Sequence, residues 1–202
     1  MLALDQTGLS ACSLSRTRCG ARDTLMSMAI TLKPPAVNES DDTLLRISRD
    51  NPGYRVERDE DGTITMSPTH TEGGAKSGEA FGQLWLYAKR VGGKAFDSNT
   101  GFAVGPGAAV RSPDASWVSQ ARIDELAATV GTKKKFWPIS PDVAIEIKSD
   151  SDDFDDTIAH AEHFCKRGST YTVAIDPDTR ERREFGTPPA GLHLDFDAIM
   201  DA

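Results

Sequence analysis

Residues 142–148, Asp142-Val143-Ala144-Ile145-Glu146-Ile147-Lys148, constrain the fold of this chain more than any other segment. Aliphatic β-branched residues recur at every second position, the period of a strand, whose successive side chains point to opposite faces. Val143, Ile145 and Ile147 share one face; Asp142, Ala144, Glu146 and Lys148 share the other. The first face demands a core. The second sets a carboxylate and an ammonium on neighbouring positions, and half-burying an unpaired charge is costly, so it needs a partner, a chemical task or solvent. Two placements satisfy the pattern: an edge strand with a solvated charged face, or an interior strand whose charges do work.

Helical and extended periods interleave through the rest of the chain. Asp42 is a plausible N-cap for a short helix through Leu44, Leu45 and Ile47, stopped by Asp50-Asn51-Pro52-Gly53. Residues 54–58 and 63–66 alternate around Asp61-Gly62 and predict a hairpin. From Glu72 to Val91 the period is helical. Phe81, Leu84, Trp85, Ala88 and Val91 form the expected buried stripe, with Glu72, Lys76, Glu79, Gln83 and Arg90 opposite and Gly92-Gly93 as the stop. Short strands are expected at 94–97, 101–104, 110, 115–118, 171–175, 181–185 and 192–195, and further helices at 123–128 and 154–167. The fold class is therefore α/β (α+β), a sheet with helices packed against it. The domain occupies 42–198, with a linker at 28–41 and a disordered or non-native tail at 1–27 that lacks the apolar core of a secretory signal.

Composition removes several functions. With 202 residues and no apolar run near the ~20 needed to span a bilayer, no membrane role is expected. A formal net charge of −8 argues against coating nucleic acid by bulk charge, while leaving room for a local phosphate site. Cys12, Cys19 and Cys165 are an odd set without C-x-x-C spacing, fitting neither a disulfide framework nor a zinc site, so a cytoplasmic location is expected. The Gly-rich segment 101–107 has no Lys-Ser/Thr of a nucleotide loop, and no nucleophile elbow supports serine hydrolase chemistry. Lys133-Lys134-Lys135 beside Phe136-Trp137 fits a solvated loop better than a phosphate-backbone contact. His160 and His163 lack a third ligand at suitable spacing and fit a solvated helix face. The five aspartates of 150–156 would repel DNA, and part of that run is expected to cap the following helix.

Asp114, in Ser112-Pro113-Asp114 at the head of a strand, turns the 142–148 pattern toward chemistry. An aspartate at one strand start with Glu-x-Lys on another is a donor set for metal-dependent phosphodiester hydrolysis. Two carboxylates offer hard oxygens to Mg²⁺ or Mn²⁺, and a lysine beside the metal can orient water and stabilise transition-state charge.

The flanking words make the pattern specific. They are Met66-Ser67-Pro68-Thr69 with Glu72 and Gly74, residues 96–102, Arg111 through Ser119, Pro141 through Ser149, and Ala174-Ile175-Asp176-Pro177. In this order and spacing, over about 42–185, the chain resembles the Uma-type restriction endonucleases, a domain family without an assigned function in the PD-(D/E)XK nuclease superfamily. The resemblance implies a restriction-endonuclease-like mixed central sheet flanked by helices. It implies a Mg²⁺-dependent endonuclease acting on DNA, with Asp114 and Glu146 as metal ligands and Lys148 as the catalytic lysine. Glu72 falls where the family keeps a glutamate ahead of its long helix and is a further catalytic candidate. A carboxylate favoured by the helix dipole explains Glu72 equally well, and Glu79 is a weaker candidate for the same role. Asp142 belongs to the Pro-Asp word but lies about 13 Å along the strand from Glu146, too far to share an ion. His160 and Phe164 depart from the Lys and Tyr of many relatives. A homodimer would suit cutting of two strands. The alternative from a different class is a non-catalytic nucleic-acid-binding or protein-interaction module retaining the fold.

Overall fold

The computed structural model describes residues 30–32, 40–106, 109–150 and 152–202. In chain order the elements are β1 (Ile30–Leu32), α1 (Asp41–Asp50), β2 (Tyr54–Arg58), β3 (Ile64–Pro68), α2 (Thr71–Val91), β4 (Lys94–Asp97), β5 (Phe102–Ala103) and β6 (Val110–Arg111). They continue through β7 (Ala115–Val118), α3 (Gln120–Thr129), β8 (Val143–Ile147), α4 (Phe154–Lys166), β9 (Tyr171–Asp176), β10 (Glu181–Gly186) and α5 (Phe196–Asp201). No described helix is long and apolar enough to cross a membrane.

The aliphatic strand is interior. In the order β10-β9-β8-β7-β4, β8 runs parallel to β9 and antiparallel to β7, so the edge placement is excluded. Val143 and Ile145 are fully buried against Ala80, Leu84 and Tyr87 of α2 and Ile199 of α5. On the reverse face Ala144 packs with Val118, Ile123 of α3 and Phe164 of α4. A mixed sheet with helices on both faces is the architecture expected of these residues. A second, antiparallel sheet, β1-β3-β2-β6-β5, grows from the hairpin. Its Val56, Ile64 and Met66 cover Leu44 of α1, and the Asp61-Gly62 turn is stabilised by Gly62 at φ 84°, a conformation glycine adopts without steric cost.

Several local expectations change. The N-cap of α1 is Ser40, whose hydroxyl accepts from the Thr43 N–H, and Asp42 sits in the first turn. On α2 the buried face is rotated from the predicted stripe. Trp85 and Val91 are 45% and 46% exposed, whereas Tyr87 is buried with its ring edge-to-face on Trp117 at 5.0 Å. Lys76, expected on the polar face, is buried too. The cause is tertiary: β7 and α5 present Trp117 and Ile199 to the Ala80-Leu84-Tyr87 side. Residues 192–195 form no strand; Asp195 caps α5 by accepting from the Ala198 N–H. Residues 30–32, read as linker, form β1 on β3. The tail 1–27, with Cys12 and Cys19, lies outside the described residues.

Candidate active site

The C-terminal end of β8, the residue ahead of β7, the hairpin strand β2 and the N-terminal turns of α2 converge on a cleft of about 510 Å³. Arg55, Glu72, Lys76, Asp114, Lys148 and Asp152 are among its walls.

Asp114 is fixed from two sides. The β7–β8 ladder ends at the Ala115–Ile145 pair, and beyond it the Asp114 Oδ2 accepts from the Ile147 N–H at 2.7 Å. Its Oδ1 accepts from Arg55 Nη1 at 2.8 Å. One strand residue away from Ile147, Glu146 is 4% exposed, and among the described residues no donor reaches its carboxylate. Burial, and then the neighbouring Asp114 charge, push the Glu146 carboxyl well above the usual carboxylate range, with Arg55 opposing. The two sequence-predicted carboxylates are thus electrostatic neighbours.

Lys148 reaches the same cleft but is engaged elsewhere. Its Nζ lies 2.6 Å from Asp178 Oδ2 and 3.9 Å from Asp176 Oδ1, in the turn between β9 and β10. The hydrogen bond to Asp178 raises its pKa above the ordinary lysine value. Glu72, at the cleft rim and 62% exposed, pairs with Lys76 Nζ at 2.6 Å, which lowers its carboxyl pKa. Glu79 is not in this cleft. It accepts from Gln83 and lines a separate hollow with Arg90, His193 and Asp195.

The far end of β8 is different. Asp142 accepts from the Ser119 N–H at 2.7 Å and pairs with Arg122 at 3.5 Å. Its separation from the cleft agrees with the strand-length argument.

Sequence reasoning missed the residues behind the site. Arg55 and Glu57 share a face of β2, and Glu57 Oε1 accepts from the Ser112 N–H at 2.6 Å. Arg111 pairs with Asp59 and lies 3.9 Å from Glu57. His160 faces this group rather than solvent. Burial lowers its pKa, with Glu57, Arg111, Arg55 and Asp59 as its charged neighbours. His163 Nε2 is buried without a partner. The solvated face expected for the two histidines is replaced by packing, because α4 covers the Ala144 and Glu146 side of β8. The signal was available: Arg55-x-Glu57 has the same two-residue charge spacing as Glu146-x-Lys148. Near the basic loop, Lys135 pairs with Asp42, and Trp137 packs edge-to-face on Phe96 at 5.4 Å, so that aromatic serves the core. Asp153 caps α4, as expected of the aspartate run.

Among the described residues no group of three or more His, Cys, Asp or Glu side chains is arranged around a common ion position. A divalent cation held here would have Asp114 and Glu146 as protein carboxylates, with water completing the shell as is usual for Mg²⁺. The buried Glu146 carboxylate without a donor is the feature that fits a cation.

A five-stranded mixed sheet between helices, with a second antiparallel sheet beside it, defines an α/β (α+β) fold. The chain belongs to the Uma2 family, described as "Putative restriction endonuclease", whose model matches residues 41–194. It is similar to the crystal structure of a protein from Anabaena variabilis described as a putative nuclease belonging to DUF820. The two share 22% identity and a TM-score of 0.56, over 72% of this chain and 89% of that one. At that identity the likeness is one of fold. No curated protein matches the chain.

Proposed function

We propose that this protein is a metal-dependent endonuclease that hydrolyses phosphodiester bonds in DNA. The observation that carries the reading is the Asp114–Glu146 pair: two neighbouring carboxylates, Glu146 buried without a hydrogen-bond donor among the described residues and Asp114 in the wall of a cleft that Arg55, Lys76 and Lys148 also line. Membership of a family described as "Putative restriction endonuclease" supports the substrate class.

Asp114 and Glu146 would hold one Mg²⁺ or Mn²⁺, which when bound supplies Lewis-acid charge beside the scissile phosphate. The Ile147 N–H keeps Asp114 oriented for that role. Lys148 leaves its Asp178 pairing to orient the attacking water and to stabilise negative charge developing on the phosphate oxygens. Its Asp178 partner is 64% exposed, so that contact is solvent-screened, and the buried Asp176 at 3.9 Å is the longer of its two pairings. Lys76, held by Glu72 at the rim, adds a second ammonium to the phosphate path. Glu72 acts through Lys76 rather than on the reacting atoms. Asp97, Asp150 and Asp152 also line the cleft, so DNA approach depends on the bound cation and weakens steeply with salt. Cutting both strands of a duplex would use two copies of the site, which a homodimer provides.

Supercoiled, linear and single-stranded DNA incubated with purified protein in Mg²⁺ or Mn²⁺ tests this. Wild type should nick at least one of them and stop in EDTA, and Asp114→Ala and Lys148→Ala should each lose activity by about a hundredfold or more. Equal background cleavage by wild type and both variants would overturn the enzyme reading and leave a binding module.

A further inference from the structure

Arg55 is set where a metal ion would act. Its Nη1 donates to Asp114 Oδ1 at 2.8 Å and to the Ser112 carbonyl at 3.3 Å, and its side chain, 23% exposed, also lines the cleft. Glu57, Asp114 and Glu146 surround it electrostatically. The contacts around Asp114 divide cleanly. The Ile147 N–H holds Oδ2, and Glu57 holds the Ser112 N–H, so the 112–114 segment stays anchored without Arg55. The Oδ1 contact and the longer one to the Ser112 carbonyl are what depend on the guanidinium.

We propose that Arg55 is a built-in counter-cation of the Asp114–Glu146 pair: it sits on Asp114 until a divalent cation binds there, and is then released to the substrate phosphate in the cleft. This rests on the metal-dependent reading above and assigns Arg55 two successive partners. A permanent cation lets two carboxylates share a buried position before metal arrives, when an uncompensated pair would be costly. Exchanging one carboxylate contact for a cation of higher charge frees a planar five-donor group, and such a fork matches phosphate oxygens better than an ammonium does. Arg55 is thereby a positioning residue without metal and a phosphate contact with it.

Calorimetric titration of Mn²⁺ into wild type, Arg55→Gln and Arg55→Lys tests the exchange without relying on activity. Removing a unit charge a few ångströms from an ion in a partly exposed site should tighten Mn²⁺ binding on the order of tenfold for Arg55→Gln, and the charge-retaining Arg55→Lys should stay within about threefold of wild type. In Ca²⁺, a fluorescent single-stranded oligonucleotide should bind Arg55→Gln more weakly than wild type. Equal or weaker Mn²⁺ binding by Arg55→Gln overturns the exchange while leaving the metal site standing. Absence of Mn²⁺ binding by all three proteins overturns both the exchange and the metal-dependent reading. If Arg55→Gln does not fold, the ¹⁵N guanidinium signal that Arg55→Lys removes can be followed in wild type as Mg²⁺ is added. A shift at saturation supports release, and an unchanged signal overturns it.

Discussion

Asp142 and Glu146 sit on the same face of the same chain segment, four residues apart, and both are buried, at 9% and 4% exposure. Their surroundings are opposite. Asp142 has a backbone donor at Ser119 and a guanidinium at Arg122. Glu146 has a second carboxylate beside it and, among the described residues, no donor. A buried charge whose hydrogen bonds are complete contributes to the fold, whereas one left incomplete is a standing cost that the rest of the structure offsets. The Pro-Asp word at one end of β8 is therefore architecture, and the Glu-x-Lys word at the other is where the proposed chemistry would act.

That contrast can be broken in stability measurements. Asp142→Ala leaves the Ser119 N–H and Arg122 without their partner and should cost about 2–3 kcal/mol in urea unfolding, while Mn²⁺ binding by the folded fraction stays unchanged. Glu146→Gln should act with the opposite sign. In EDTA at neutral pH it removes a carboxyl whose ionised form burial and the Asp114 charge disfavour, and should raise Tm by several degrees, at the cost of the metal response.

The pH dependence sharpens the difference. Glu146 has a folded pKa raised well above its ordinary value of 4.5, so the native state keeps a proton that the unfolded chain has released. Its contribution to stability is present below pH 4.5 and is lost as pH rises toward the elevated folded value. In EDTA, wild-type stability should carry this decline, and Glu146→Gln should lack it when measured by chemical denaturation across the range. The smallest effect belongs to Lys148→Met. It removes a pairing with the largely exposed Asp178 and a longer one, 3.9 Å, with the buried Asp176, which keeps its bond from the Asp178 N–H; stability should change by about 1 kcal/mol or less, while cleavage is abolished.

Much of this arrangement is legible in the amino-acid order. The alternation at 142–148 specifies a strand with one aliphatic face, the Asp61-Gly62 pair specifies the hairpin, and the words around Asp114 and Glu146 specify the family. The rotated face of α2 is not legible, because Tyr87 and Trp85 are both aromatic and two residues apart. Which one is buried is decided by Trp117 on a strand distant in sequence. The α5 helix was visible in outline: Asp195 precedes Phe196, Ile199 and Met200 at helical spacing, but the adjoining Leu192-His193-Leu194 alternates like a strand. Arg55 and Glu57 carry a pattern that can be read, yet their relation to Asp114 spans more than fifty residues and exists only once the hairpin folds over the sheet end. The engagement of Lys148 by Asp178 has the same origin, since parallel pairing of β8 and β9 brings the following turn beside the lysine.

Thermal unfolding of wild type, Asp142→Asn and Glu146→Gln, each with EDTA and with saturating Mn²⁺, tests the division of β8 most directly. Mn²⁺ should raise the Tm of wild type and of Asp142→Asn by similar amounts and leave Glu146→Gln unmoved. An equal Mn²⁺ shift in Glu146→Gln, or its loss in a folded Asp142→Asn, would contradict the assignment of the metal site to the Glu146 end of the strand.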